Sequence, residues 1–213
     1  MLLFFIYNGE LKLRLVRQKK VQQLALETLG VPPVAQQAFD RLLTVPTIAS
    51  KRWAYRQYDH SVGTNTIAQP GMSAAVVRVK DTQRGLALSV DGNGRFCYLD
   101  PYRGAMLAVA EAARNVACAG AEPIGATNNL NFGNPERPEI MWQIGQAVRG
   151  IGDACKALGT PITGGNVSLY NETEGRAIYP TPVLGVIGIL EDATATVTRT
   201  FKTAGASVIL LGD

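Results

Sequence analysis

Histidine is almost missing from this chain: His60 is the single one among 213 residues, which leaves little material for a Ser-His-Asp triad or a multi-histidine metal centre. Cysteine is scarce too. Cys97, Cys118 and Cys155 are odd in number, widely spaced and set among apolar neighbours, with no Cys-x-x-Cys pair, so they read as small buried hydrophobes in a reducing compartment. Long apolar runs are also lacking. The opening Met1 to Tyr7 is too short to span a bilayer, and Asn8-Gly9-Glu10 interrupts it before any cleavage-type pattern of small residues. A cytoplasmic chain with no membrane partner is expected. The net charge of +4 hints at nucleic acid until it is split at Gln57: nine Lys/Arg and three Asp/Glu precede that residue, twelve and fourteen follow it. A mildly acidic body makes a poor electrostatic footprint for a duplex, so no nucleic-acid partner is expected.

With 46% hydrophobic and 18% charged residues, the chain has enough apolar material for one ordinary core with appendages. Residues 1–20 alternate apolar and basic side chains and form a basic, apolar tail ending in Arg17, Gln18, Lys19 and Lys20. Residues 21–58 suggest two short helices, broken at Gly30-Val31-Pro32-Pro33 and ended near Pro46. From 59 to 192, short β-branched runs alternate with two strong helices. Strands are predicted at 73–80, 85–90, 161–163 and 181–190, and a tight turn at Asp91-Gly92-Asn93-Gly94. The helices are predicted from Tyr102 to Ala119, ending at Gly120, and from Pro138 to Leu158, stopping at Gly159, with Asn134-Pro135-Glu136 as the second one's entry signal. A last strand is predicted at 206–211. A buried strand there ordinarily feeds a loop and a further layer, so 193–213 is expected to open a domain that is cut short.

Three stretches carry chemistry. In Thr163-Gly164-Gly165-Asn166-Val167-Ser168-Leu169-Tyr170-Asn171-Glu172, adjacent glycines after a strand would let backbone N–H groups approach an anion, as phosphate-binding nests do. Asn166 and Ser168 would share one side of an extended chain and offer hard oxygen ligands for Mg²⁺ or a phosphate. A β-bulge, or a turn with a capping asparagine, accounts for the same residues. In Thr127 to Pro135, four asparagines (128, 129, 131 and 134) fall within seven residues. Local backbone bonds explain two of them, and four look like a loop that holds polar ligand groups. In the third stretch Asp91 could help organise a metal, and Arg95 or Arg103 could clamp a phosphate. A hairpin turn followed by a helix capped by Asp100 fits that stretch better, and Asn93 belongs to it. His60, beside Gln57, Tyr58 and Asp59, reads as a satisfied structural histidine.

Taken together and in order, Gln57-Tyr58-Asp59, Thr64-Asn65-Thr66, Asp91-Gly92-Asn93, Leu99-Asp100-Pro101-Tyr102, Glu111-Ala112-Ala113-Arg114-Asn115, Leu130-Asn131-Phe132-Gly133-Asn134-Pro135, Gly165-Asn166-Val167-Ser168-Leu169-Tyr170-Asn171 and Pro180-Thr181-Pro182 resemble the synthetase subunit of phosphoribosylformylglycinamidine synthase, of the aminoimidazole ribonucleotide synthase superfamily. The likeness runs from about Ile48 to Asp213 and more weakly back to Val21. It implies an α+β domain with a mixed sheet flanked by helices, whose sheet pairs with a partner copy. The chain would be the first domain of that subunit's second repeat (59–192), with a helical remnant of the preceding domain (21–58) and the first strand of the next (193–213).

The resemblance further implies an amidoligase that converts formylglycinamide ribonucleotide, ATP and glutamine-derived ammonia to formylglycinamidine ribonucleotide, ADP and phosphate. On the matching positions it implies ATP contacts at Asn128 and Gly165, a Mg²⁺ contact at Asn166 and a substrate contact at Ser168, with Asp91, Asn93 and Arg95 as further candidates. Asn128 is neutral where an acidic residue is commoner in that family. The family's catalytic histidine segment and acidic metal ligands have no counterpart here, so no catalytic residue is assigned, and activity is expected to need the other domains or subunits and a glutaminase as ammonia source. The chain could also pair with a second copy of itself as a homodimer through the sheet, and the alternative function is a non-catalytic nucleotide-binding or interaction module.

Overall fold

The computed structural model describes residues 35–209; the expectations for the tail, for the first helix after Val21 and for 210–213 lie outside it. Two helices, α1 (Ala35–Thr44) and α2 (Arg52–Tyr55), lead into strands β1 (Thr66–Ala68), β2 (Ala75–Arg78) and β3 (Gly85–Asp91). Helices α3 (Gly94–Leu99) and α4 (Pro101–Cys118) follow, then β4 (Glu122–Asn131), α5 (Pro138–Leu158), β5 (Ile162–Ser168), the short hairpin β6 (Glu172–Thr173) and β7 (Arg176–Ala177), and β8 (Thr181–Leu190). Six strands form one mixed sheet in the order β1-β2-β3-β8-β4-β5. Only β4 and β5 run parallel, because α5 is the crossover that parallel neighbours require. The fold is α+β, as the resemblance implies.

Alternation decides which face is covered. Along β8, Pro182, Leu184, Val186, Gly188 and Leu190 are buried and the residues between them half-buried; along β3, Gly85, Ala87 and Ser89 are buried while Leu88 and Val90 are exposed. The buried face is made of small side chains because α4 lies close on it. Ala105, Ala108, Ala112 and Ala113 of α4 are buried, and a Cβ at Gly188 would come within 2.3 Å of Val116 Cγ1. Helix α5 packs on α4 just as tightly: a Cβ at Gly150 would stand 2.1 Å from the Tyr102 carbonyl oxygen, and Tyr102 Oη donates to Asp153 Oδ2 at 2.8 Å.

Both long helices start and stop as the sequence indicates. Asp100 Oδ1 accepts from the Arg103 N–H at 3.0 Å with Pro101 behind it, and α5 ends at Gly159 in the left-handed conformation, φ 66°. Asn134 Oδ1 accepts from the Glu136 N–H at 2.8 Å just before α5.

Four expectations need correction. Asp91 to Gly94 is no hairpin: Asn93 Oδ1 caps the unanticipated helix α3 by accepting from the Arg95 and Phe96 N–H groups, and β3 pairs with β2 and β8. Residues 206–209 carry no strand. Cys118 is exposed, while Cys97 and Cys155 are buried; burial, reinforced by the negative charge of Asp100, pushes the Cys97 thiol up to about 11. His60 is not satisfied, since its buried Nδ1 has no hydrogen-bond partner among the described residues. No helix among those residues is long and apolar enough to cross a membrane.

Candidate functional site

The candidate residues gather on the parallel pair β4–β5 at the edge of the sheet. Asn128 pairs with Gly165, Asn129 with Asn166 and Asn131 with Ser168. Gly164 and Gly165 are not a nest: both lie inside β5, and neither is among the glycines with positive φ. What Gly165 supplies is closeness, since a Cβ there would meet Asn128 Oδ1 at 2.1 Å and the Asn128 carbonyl oxygen at 2.5 Å. Gly164 has open space where a Cβ would be, and its carbonyl accepts from Thr127 Oγ1 at 3.0 Å. Ile162 to Val167 are exposed along the outermost strand.

Strand alternation divides the candidates between two faces. Asn128 lies in one row with Leu184 and Gly165, and Leu184 is buried beneath the helices, so this row belongs to the helix-covered face. Asn129, Asn131, Asn166 and Ser168 belong to the opposite face, which the described residues leave uncovered. The asparagine-rich stretch is therefore mostly strand, and only Asn134 of the four lies in a loop. Asn166 Nδ2 donates to Asn129 Oδ1 at 3.2 Å, which leaves its own Oδ1 available. Asn131 Nδ2 donates to the carbonyls of Asn129 and Thr181, each at 3.1 Å. The Asn128 side chain has no hydrogen bond among the described residues.

Past Ser168 the chain turns sharply. Tyr170 adopts φ 58°, an unusual conformation for a non-glycine residue, held by its N–H donating to the Gly133 carbonyl at 3.1 Å and its hydroxyl donating to Glu136 Oε1 at 3.2 Å. The charge of Glu136, and then that hydrogen bond, raise the Tyr170 phenol above its ordinary value. Asn171 reaches back to Ser168: Nδ2 donates to the Ser168 carbonyl at 2.9 Å and the Phe132 carbonyl at 3.0 Å. Arg137 Nη1 pairs with Glu172 Oε1 at 3.4 Å, and that oxygen also accepts from the Asn134 N–H. Asn171 and Glu172 belong to the stretch that the sequence singles out but have no role assigned there, and Arg137 is not among the sequence candidates. The signal for Asn171 was its position three residues beyond Ser168, which means nothing until the chain is known to turn there.

The remaining candidates stand apart. Asp91 occupies the same row as Leu184 and Asn128, but two strand spacings put it about 10 Å from Asn128. Its carboxylate accepts from Asn115 Nδ2 at 3.1 and 3.2 Å and from Ser89 Oγ, so it is a structural acceptor between β3 and α4. Asn93 is spent on capping α3. Arg95 is exposed on α3, and Arg103 faces Asp100 at 3.9 Å with both side chains largely exposed, a pair of little energetic weight. Among the described residues no three His, Cys, Asp or Glu side chains cluster to hold a metal. The donor set at β4–β5 is neutral. Asn166 Oδ1 fits as one oxygen ligand for Mg²⁺, with phosphate oxygens and waters needed for the rest.

Residues 71–190 match the family described as AIR synthase related protein, N-terminal domain. The phosphoribosylformylglycinamidine synthase subunit PurL of Moorella thermoacetica is 55% identical over 194 residues, 91% of this chain and 26% of that protein. The corresponding subunit of Anaeromyxobacter dehalogenans is 58% identical over 191 residues, 87% of this chain and 25% of that protein. Among solved structures, PurLQS from Thermotoga maritima superposes with a TM-score of 0.65 at 34% identity, covering 70% of this chain and 25% of that one. Thermotoga maritima PurL complexed with ATP gives 0.60 at 34% identity, covering 68% and 24%. The chain thus spans about a quarter of the length of the relatives it matches. With the match running from the turn before β2 to the end of β8, the chain belongs to the AIR synthase related family, through that family's N-terminal domain.

Proposed function

We propose that the chain supplies one wall of the ATP, Mg²⁺ and substrate site of a phosphoribosylformylglycinamidine synthase, the amidoligase that joins glutamine-derived ammonia to formylglycinamide ribonucleotide at the expense of ATP. One observation carries this reading: an exposed edge strand presents Gly165 against Asn128 on one face and Asn166 with Ser168 on the other, so a ligand lying along β5 reaches both. Asn128 and Gly165 would contact ATP, Asn166 Oδ1 would be a neutral ligand to Mg²⁺, and Ser168 would touch the substrate. The ion would neutralise phosphate charge, while the residues of this chain bind and orient. The remaining carboxylates and the catalytic groups would come from other domains or subunits, with a glutaminase providing ammonia. The exposed Leu88 and Val90 mark the sheet face that would meet a matching copy.

Co-expression with a polypeptide carrying the first repeat tests the reading. ADP formation dependent on formylglycinamide ribonucleotide and ammonia is expected, and its absence in a soluble complex overturns it. The neutral donor set favours a second reading, a nucleotide-binding module without turnover. That reading expects Mg²⁺-ADP binding by the purified chain in calorimetry, with no activity in any complex.

A further inference from the structure

Ser168 sits at the end of β5, where both polar atoms of the Asn171 amide come within hydrogen-bond reach of its hydroxyl. Asn171 lies three residues on, half-buried, and its side-chain amide is surrounded. Nδ2 is 2.9 Å from the Ser168 carbonyl, 3.0 Å from the Phe132 carbonyl and 3.1 Å from Ser168 Oγ. The orientation of the amide is not arbitrary, because reversing it would set its oxygen against two carbonyl oxygens. An amide nitrogen has two protons, and here it meets three acceptors. The two carbonyls are the nearer ones and have backbone positions fixed by the β4–β5 junction, where Phe132 N–H donates to the Ser168 carbonyl at 3.0 Å and Asn171 N–H to the Phe132 carbonyl at 3.1 Å. They take both protons.

Ser168 Oγ is then left without a donor from Asn171, and its own proton has an acceptor in Asn171 Oδ1 at 3.3 Å. We infer that Asn171 is a positioning residue that holds the Ser168 hydroxyl proton, so that Ser168 presents lone pairs to a ligand and reads a hydrogen-bond donor, an amide N–H or a sugar hydroxyl, and not a phosphate oxygen. This rests on the proposal that Ser168 contacts the substrate, and it names which part of that substrate it contacts. An acceptor at this position disfavours a phosphate monoester, whose oxygens are mostly ionised at neutral pH and then only accept, and suits an amide- or hydroxyl-bearing portion of a nucleotide. The left-handed Tyr170, tied to Gly133 and Glu136, is what brings Asn171 back under Ser168.

Proton assignment is measurable in the ligand-free chain. In the isotope-labelled full-length protein, both Asn171 side-chain amide protons are expected to show through-hydrogen-bond couplings, one to the Phe132 carbonyl carbon and one to the Ser168 carbonyl carbon. Ser168→Ala should leave the Phe132 coupling intact. A wild-type proton coupled to neither carbonyl, or a Phe132 coupling that changes when the hydroxyl is removed, overturns the assignment. The ligand arm uses calorimetry with formylglycinamide ribonucleotide and, separately, inorganic phosphate. Ser168→Ala is expected to weaken the nucleotide about five- to tenfold, the effect of one neutral hydrogen bond, and to leave phosphate unchanged; equal weakening of both overturns the inference. Failure of the wild type to bind the nucleotide in any assembly would instead sink the proposed function, with the couplings still deciding the direction of the hydroxyl.

Discussion

Gly164 and Gly165 are adjacent in sequence and alike in type, yet the structure gives them unequal duties. A side chain at 164 meets open space, whereas one at 165 meets the backbone and side chain of Asn128. Gly164→Ala is therefore expected to change stability by less than about 0.5 kcal/mol, as exposed substitutions do. Gly165→Ala forces β5 away from β4 and is expected to cost about 1–3 kcal/mol, read as a lower urea midpoint at unchanged slope. If the two variants melt together, the close approach at Gly165 has no energetic consequence. Sequence alone pointed to this dipeptide as special, but for a phosphate nest. The nest needs left-handed backbone, which the parallel pairing with β4 removes.

At the level of elements, the two long helices were legible because their signals are local. Asp100 and Pro101 open α4, and Gly159 closes α5. Asp100→Ala leaves the Arg103 N–H without its acceptor and is expected to lower stability by about 1 kcal/mol in thermal denaturation. The isosteric Asp100→Asn should recover most of it, since the amide oxygen still accepts. Full loss in Asn would mean that the charge and not the cap matters. Helix α3 was not legible, because Asp91-Gly92-Asn93-Gly94 suits a hairpin as well as an Asn-capped helix. The choice falls to β8, which arrives from ninety residues later to pair with β3 and leaves no room for a hairpin partner. The same strand explains why β4 runs on to Asn131: it lies between β8 and β5, and both neighbours supply bonds to an asparagine-rich segment that would otherwise be loop.

At the scale of the whole fold, one sheet face is covered by α4 and α5 and the other is left uncovered by the described residues. Leu88 is 41% and Val90 71% exposed on the uncovered side, although β3 could have turned these residues inward. They face outward because the close-packed helix face accepts only Gly85, Ala87 and Ser89. If a partner copy covers this face, Leu88→Lys with Val90→Lys should abolish association in sedimentation velocity while leaving the melting temperature of the isolated chain within a few degrees. Association unaffected by both charges places the interface elsewhere.

The amino-acid order by itself determined the two long helices, the strands β3 and β8, the family likeness and the short roll of polar residues that could bind a ligand, because each of these depends on neighbours a few positions apart. Only the tertiary structure decided which of those residues meet. Strand register, set by pairings 37 residues apart between Asn129 and Asn166, put Asn128 and Gly165 on one face and Asn166 and Ser168 on the other. It also withdrew Asp91 to a structural bond with Asn115 and brought Asn171 under Ser168. Register is a property of pairs of segments, fixed by which faces can be buried, and no single stretch of this chain contains it.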